Sequence, residues 1–217
     1  MKAVDSRART RDQDPHRSAR SRRGFTLLEI LLAIGVLSLL LALTLPTLGR
    51  VSRTADRAKT LAWFADWGAA MELFHQEYGY FPDLTAADGS SGRIDGSRFV
   101  AALTGRDRDG DPVPPAAAAG NVRGLRFLSL PAAALDSAHG ELLDAFGNCD
   151  VVVLVDADND GRIRGDELVR LDLRRGCSAS GFMAAGQPPA SSFPVEGLRA
   201  NVAFYSAGAG DWIFSWQ

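Results

Sequence analysis

The sequence predicts an α+β fold in which one long N-terminal helix packs on a small antiparallel sheet. A nearly uninterrupted apolar run near the start is followed by apolar residues at spacings of three and four, which is typical of a helix. The second half of the chain carries short β-branched or alternating segments separated by turn residues. One long helix followed by several strands indicates an α+β domain.

The long helix is predicted to extend from about residue 28 to residue 78. Its second half carries an apolar stripe made of Phe64, Trp67, Met71, Phe74 and Tyr78. Such a stripe normally faces a core. Gly79 favours a helix C-cap, and Pro82 prevents the helix from continuing. We therefore expect an amphipathic half-helix over residues 48–78 and a globular head over residues 79–217.

The head is predicted to contain one short helix and a small sheet. Ser97 to Leu103 reads as the helix, with Ser97 as its N-cap. The β-branched run Val151 to Val155 predicts a central strand, and the alternating segment Leu168 to Leu173 predicts its neighbour. Two more segments, Asn201 to Ser206 and Trp212 to Trp216, flank a Gly-rich turn and predict a C-terminal hairpin.

The charge of the chain is distributed unevenly. Residues 1–24 contain eight Lys or Arg and three Asp, a net charge of +5, which leaves 16 basic and 23 acidic residues, net −7, in the remainder. A basic flank before an apolar run predicts a cytoplasmic leader and an exported C-terminal part. A leader of this charge is also compatible with a nucleic-acid or membrane-surface arm, but the apolar run begins directly after it. The acidic remainder argues against nucleic-acid binding by the head.

The apolar run from Phe25 to Leu45 is long enough to cross a bilayer as a helix, so residues 25–47 are predicted to form a transmembrane helix. Glu29 is the one carboxylate in this run. A charge inside a membrane costs roughly 2.5–3.5 kcal/mol on insertion scales, so it normally marks a functional site.

The segment from Arg22 to Glu29 resembles the class III signal of type IV pilins and of type II secretion pseudopilins. The basic leader, Gly24, Phe25, Glu29 and the later Pro46 all stand where that family has them. The resemblance implies that a prepilin peptidase cleaves after Gly24 and methylates the amine of Phe25. It also implies that Glu29 neutralises that amine during assembly, that Pro46 kinks the helix, and that the fold is the type IV pilin fold.

Two further segments resemble secretion pseudopilins. Gln76 to Pro82 has their aromatic-Gly-aromatic-Pro turn, and Leu143 to Asn148 is similar to their Asp-Pro-Trp-Gly-Asn element, with Ala and Phe replacing Pro and Trp. The resemblance implies a structural subunit of a type II secretion filament in the bacterial inner membrane. Its implied partners are other copies, related pseudopilins, the prepilin peptidase and the inner-membrane assembly platform.

The segment from Asp156 to Glu167 matches a calcium-loop template. The expected ligands are the carboxylates of Asp156, Asp158, Asp160 and Glu167 and the backbone carbonyl of Arg162. Hard oxygen ligands in this number favour structural Ca²⁺ over a transition metal. Asp166 competes with Glu167 for the last position, and an Asp-Gly-rich turn without an ion is the alternative. Calcium sites also occur in secretion pseudopilins, so the resemblance supports the interpretation.

The chain has two cysteines, Cys149 and Cys177. An exported domain lies in an oxidising compartment, where such a pair usually forms a disulfide. The resemblance favours the same pairing, because many pilin-like proteins carry one bridge in this part. Two unpaired buried thiols are the alternative.

We find no catalytic pattern in the sequence and expect no enzymatic activity. His16, His75 and His139 are not accompanied by a Ser/His/Asp order, a Cys/His pair or a phosphate-binding Gly loop. Two alternatives to a secretion subunit remain open. One is a type IV pilus subunit for adhesion, motility or DNA uptake, and the other is a membrane-anchored, calcium-dependent binding module.

Overall fold

The computed structural model of the protein describes residues 25–85, 92–136, 138–177 and 183–217, apart from the side chains of residues 43–48 and 116. Within these residues, two α-helices, α1 and α2, are followed by five strands, β1 to β5. Their bounds are Leu27–Tyr78 and Gly96–Thr104 for the helices, and Val151–Val155, Leu173–Arg175, Met183–Gly186, Val202–Ser206 and Ile213–Phe214 for the strands. The α+β class is confirmed, and α1 ends at the residue that the sequence predicts.

The chain divides after Thr47 into two compact units. In the first unit the described side chains of residues 25–42 are exposed. A search of the described residues finds no helix that is long and apolar enough to cross a membrane. The transmembrane helix predicted for residues 25–47 is therefore not confirmed.

The second unit is built on a three-stranded antiparallel sheet in the order β1-β4-β5. Val151 lies opposite Ser206 and Val155 opposite Val202, which fixes the register of the central pair. The C-terminal hairpin is confirmed, and Val151–Val155 forms a strand as predicted, but its predicted central place is wrong because β4 lies between β1 and β5. A separate antiparallel pair is formed by β2 and β3.

The strand predicted at Leu168–Leu173 is wrong, because β2 begins only at Leu173 and pairs with β3 rather than β1. The Tyr205 hydroxyl explains the difference. It accepts the N–H of Leu171 at 3.0 Å and donates to the carbonyl of Val169 at 2.9 Å. A side chain thus satisfies backbone groups that a neighbouring strand would otherwise pair with.

The short helix α2 has a different N-cap from the one predicted. The Asp95 side chain, not that of Ser97, accepts the N–H of Arg98 at 2.9 Å. Asp is as good an N-cap as Ser, so the sequence alone allows both starts. Gly105 ends the helix in the left-handed conformation at φ +68°.

The sheet carries a core on each of its faces. The α1 stripe packs with one face, where Phe64, Trp67, Met71 and Phe74 are almost fully buried and Tyr78 is partly buried. The predicted core role of the stripe is confirmed. The opposite face packs a second cluster that includes Leu154, Ile163 and Tyr205. Because β1 is buried on both faces, the loop that follows it starts from a rigid support.

Candidate functional site

The N-terminal segment of α1 is organised by Thr26. Its carbonyl accepts the N–H groups of Glu29 and Ile30 at 3.1 and 3.2 Å, and its hydroxyl accepts the Glu29 N–H at 3.2 Å. Thr26 therefore caps the helix, and Glu29 stands three positions later, as in a capping box. An acidic group in the first turn is also favoured by the helix dipole. The Thr-x-x-Glu spacing signals this cap, which the sequence interpretation missed.

The processing residues are only partly within the described structure. Gly24 lies outside the described residues, and so does the side chain of Pro46. Phe25 is 76% exposed and precedes the first residue of α1, so its backbone amine would lie at the helix N-terminus after cleavage. Glu29 is exposed within the first turn.

The acidic loop starts directly from β1. Asp156 follows the last residue of that strand and is 1% exposed. Its N–H donates to the carbonyl of Asn201 at 2.8 Å. Further along, the fully buried Ile163 bridges Leu198 in an antiparallel pairing. These two contacts hold the loop at its start and just past its middle.

Three carboxylates of the loop lie close together. One oxygen atom from each of Asp156, Asp158 and Glu167 lies within 4.8 Å of the others. Both oxygens of Asp156 and both of Glu167 accept backbone N–H groups of the loop, at distances from 2.7 to 3.2 Å. A carboxylate oxygen has a second lone pair, so these bonds orient the groups and leave room for a cation.

The remaining predicted ligands are placed differently. The Asp160 carboxylate accepts the Arg162 N–H at 2.9 Å and forms an ion pair with Arg164. Asp160 does not belong to the group of three, and neither does Asp166, so the structure favours Glu167 over Asp166. Gly161 adopts φ +82°, which permits the turn that brings its N–H to Asp156.

The electrostatics of the group favour a cation. The hydrogen bond from the Asp160 N–H lowers the pKa of Asp158, but desolvation and the neighbouring carboxylates outweigh it. The pKa of Asp158 is therefore raised above its ordinary value. A hard divalent cation would relieve this repulsion with the oxygen ligands that calcium prefers.

The segment Leu143 to Asn148 forms a buried hydrogen-bonded junction around Asp144, which is 1% exposed. Its carboxylate accepts the backbone N–H groups of Phe146 and Asn148, the Asn148 amide and the Ser206 hydroxyl, at 2.7–3.0 Å. Asn148 also donates to the Gly208 carbonyl at 3.0 Å. The sequence pointed to this element only through its resemblance to the Asp-Pro-Trp-Gly-Asn element of secretion pseudopilins. The structure shows that it ties β4 to the turn that follows.

Cys149 and Cys177 lie next to each other as free thiols. The Cys149 thiol donates to the Gly176 carbonyl at 3.4 Å. Burial raises the pKa of both thiols, and the contact with Cys149 raises that of Cys177 further. The predicted pairing thus remains a prediction, and the two residues have the proximity that it requires.

The described histidines lie outside the larger cavities. His75 stacks on Phe81 at 4.4 Å, and His139 is exposed with its Nδ1 2.7 Å from the Asp136 carboxylate, within hydrogen-bond distance. One cavity of about 610 Å³ lies between α1 and the acidic loop, and another of about 490 Å³ lies beside β1. Neither of these two cavities is lined by a histidine.

Comparison with known proteins gives a match in the N-terminal segment. Residues 19–45 match the prokaryotic N-terminal methylation motif. This motif is the signature of type IV pilin-like and pseudopilin proteins, so the resemblance of the N-terminal segment is confirmed. No curated protein and no solved structure gives a significant match to the chain. The match covers the predicted cleavage site, Glu29 and the first part of α1.

Proposed function

We propose that this protein is a pseudopilin-like subunit of a type II secretion filament, with a structural rather than an enzymatic role. The methylation motif at residues 19–45 carries the proposal. The arrangement of a long helix with a small antiparallel sheet supports it, because the type IV pilin fold combines the same elements. The prepilin peptidase would remove residues 1–24, and the apolar N-terminal part of α1 would hold the subunit in the inner membrane until assembly.

Glu29 has two roles in this proposal. In the helix it occupies the first turn, after the Thr26 cap. Once Phe25 becomes the first residue, its amine lies four residues, about one helical turn, before Glu29 along the chain. Partial neutralisation by that amine, from the same or a neighbouring copy, lowers the cost of burying Glu29 among apolar helices.

The acidic loop is proposed as a structural calcium site of the same subunit. The convergence of Asp156, Asp158 and Glu167 supports it, as does the raised pKa of Asp158. The loop links β1 to the region of Ile163 and Leu198, so a bound ion would stabilise the edge of the head. The chemistry that calcium supplies here is charge compensation and cross-linking of the loop.

Two other functions are compatible with the motif. A type IV pilus subunit carries the same signal and assembles in the same way. The acidic loop and the Tyr80-Phe81-Pro82 turn favour the secretion subunit through their resemblance to pseudopilins. A membrane-anchored binding module would need the anchor but no neutralised carboxylate at Glu29.

The first experiment compares the proteins secreted by a wild-type strain and by a strain that lacks this gene. The deleted strain is complemented with the wild-type gene, with Gly24→Val, or with Asp109→Ala as a control, because Asp109 is an exposed residue of the head and leaves the cleavage site unchanged. We expect Gly24→Val to stay uncleaved and to leave several folded exoproteins unsecreted. An unchanged set of secreted proteins in the deleted strain would contradict a secretion role and favour a pilus or DNA-uptake filament.

A second experiment separates a filament subunit from a simple anchor. Glu29→Leu removes the intramembrane charge, and Glu29→Gln keeps the shape of the side chain. A filament subunit should be cleaved in both variants but should fail to assemble. A simple anchor should insert better with leucine and keep its function, which would contradict the proposal.

A further inference from the structure

One side of α1 carries a row of three arginines ahead of the hydrophobic core. Arg50, Arg53 and Arg57 follow one another at spacings of three and four, so they lie on the same side of the helix. Arg50 and Arg57 stand fourteen and seven residues before the buried Phe64, which places this arginine row roughly in line with the stripe that packs on the sheet. The arginine row therefore begins where the core residues of α1 end.

The guanidinium groups of the arginine row are available to a ligand. Arg50 and Arg53 are exposed, and Arg57 is half-buried. None of the three forms an ion pair within the described part of the chain. Arg57 donates one N–H to the Trp212 carbonyl at 3.2 Å, and a guanidinium has five N–H donors. Most of the donors of the row are therefore free to bind an anion.

Two members of the row line a small cavity at the C-terminal hairpin. The cavity has a volume of about 70 Å³, and Arg53 and Arg57 share its lining with Phe146, Ala209, Asp211 and Ile213. This is room for a phosphate group and not for an acyl chain. Asp211 is the one carboxylate in the lining. Asp56, which also lies in this stretch of the helix, accepts the Ser52 hydroxyl at 3.4 Å. Cations thus outnumber carboxylates around the cavity.

The position of the arginine row along the chain is unusual for an exported domain. Arg50 follows Leu45, the end of the apolar run, by five residues, which span at most about 18 Å in any conformation. Residues 50–59 carry a net charge of +3, whereas residues 60–217 contain 12 basic and 21 acidic residues, a net charge of −9. Cations close to an apolar segment on its exported side oppose the orientation that the basic leader favours. An anionic partner on that side would offset this cost.

We propose that the arginine row binds the phosphate of an anionic phospholipid headgroup, on the exported side of the membrane that holds the chain. The inference rests on the proposed function, because it takes the apolar run from Phe25 to Leu45 to lie in that membrane. A guanidinium group matches two oxygens of a phosphate, and a zwitterionic headgroup would also bring a cation towards the row. Anionic headgroups repel the acidic remainder of the head, so the row also determines which end of the head approaches the lipid.

Binding of short-chain lipids to the cleaved full chain in a nonionic detergent tests this site. The probes are dihexanoyl-phosphatidylglycerol, which is anionic, dihexanoyl-phosphatidylcholine, which is zwitterionic, and inorganic phosphate. We expect the anionic lipid to bind at least about tenfold more tightly than the other two probes, as measured by the melting temperature across each titration. Equal binding of the two lipids would overturn the inference. Equal binding of inorganic phosphate would overturn it as well, because the site would then recognise an anion from solution.

Two double variants separate the arginine row from net charge. Arg50→Gln with Arg53→Gln removes two cations of the row and should weaken binding of phosphatidylglycerol at least about tenfold. The matched control, Lys59→Gln with Arg199→Gln, removes the same charge from exposed residues outside the row and should bind like wild type. Lys59 follows Arg50 by nine residues, which places it on the opposite side of the helix. An equal loss of binding in both variants would overturn the inference.

The salt response of the wild-type chain keeps the test decisive if the variant of the row fails to accumulate. Binding of phosphatidylglycerol should weaken as salt is raised, because ions screen the exposed guanidinium groups, and an unchanged affinity would overturn the inference. Selective binding of the anionic lipid, together with unchanged secretion in the deleted strain, would instead refute the proposed function and retain the site. Defective secretion in that strain without selective lipid binding would refute the inference alone.

Discussion

At the scale of single residues, Asp144 determines much of the local order of the head. Its buried carboxylate accepts four hydrogen bonds from Phe146, Asn148 and Ser206. Asp144→Ala leaves these donors without an acceptor, and each unsatisfied buried donor costs about 1–3 kcal/mol. We expect a loss of at least about 2 kcal/mol in the free energy of unfolding, measured by denaturant titration. Asp111→Ala, on an exposed loop, is the control and should change it little.

The same residue predicts a dependence on pH. Burial raises the pKa of Asp144 above its ordinary value of 3.8, although the bonds from Asn148 and Ser206 lower it. A raised pKa in the folded state means that the stabilising contribution is complete below the ordinary pKa and decreases as pH rises through the raised value. The stability difference between wild type and Asp144→Ala should therefore be larger at pH about 4 than at pH about 7. A larger difference at the higher pH would contradict this.

At the scale of elements, the two cysteines lie beside the start of β1 and the end of β2. Cys149 and Cys177 lie in contact, so the two thiols should form a disulfide once the head is exported to an oxidising compartment. A loop of this length contributes roughly 3–4 kcal/mol by the chain-entropy estimate. We expect no reactive thiol in the exported protein under denaturing conditions, and a lower melting temperature after reduction. Two titratable thiols would contradict the pairing.

The helices and strands also differ in how well the sequence predicts them. The periodicity of α1 and the β-branched run of β1 depend on neighbours along the chain, so both could be predicted. The segment 168–172 alternates like a strand, but Tyr205, from a distant part of the chain, occupies its backbone groups. The acidic template likewise predicted the three converging carboxylates, whereas the contact of Asp160 with Arg164 depends on side-chain geometry that spacing does not specify.

At the scale of the whole molecule, calcium binding should be linked to folding. A ligand that binds only the folded state raises the free energy of unfolding by about 1–3 kcal/mol at ten to a hundred times its Kd. A chelator should therefore lower the melting temperature of the cleaved chain, and added calcium should restore it. Asp158→Ala should abolish this response, whereas Asp109→Ala, in the exposed loop that also carries Asp107 and Asp111, should retain it. A chelator effect that is unchanged in Asp158→Ala would place the ion elsewhere.

The division of the chain after Thr47 predicts that the second unit folds without the first. The buried residues of both cores lie at or beyond Thr60, so removing residues 1–47 deletes none of them. A chain that begins at Leu48 should unfold cooperatively, at a melting temperature close to that of the full chain in detergent. It should also retain the response to calcium, because Asp156, Asp158 and Glu167 are all present. Non-cooperative unfolding of this shorter chain would show instead that the head depends on the N-terminal half of α1 for its stability.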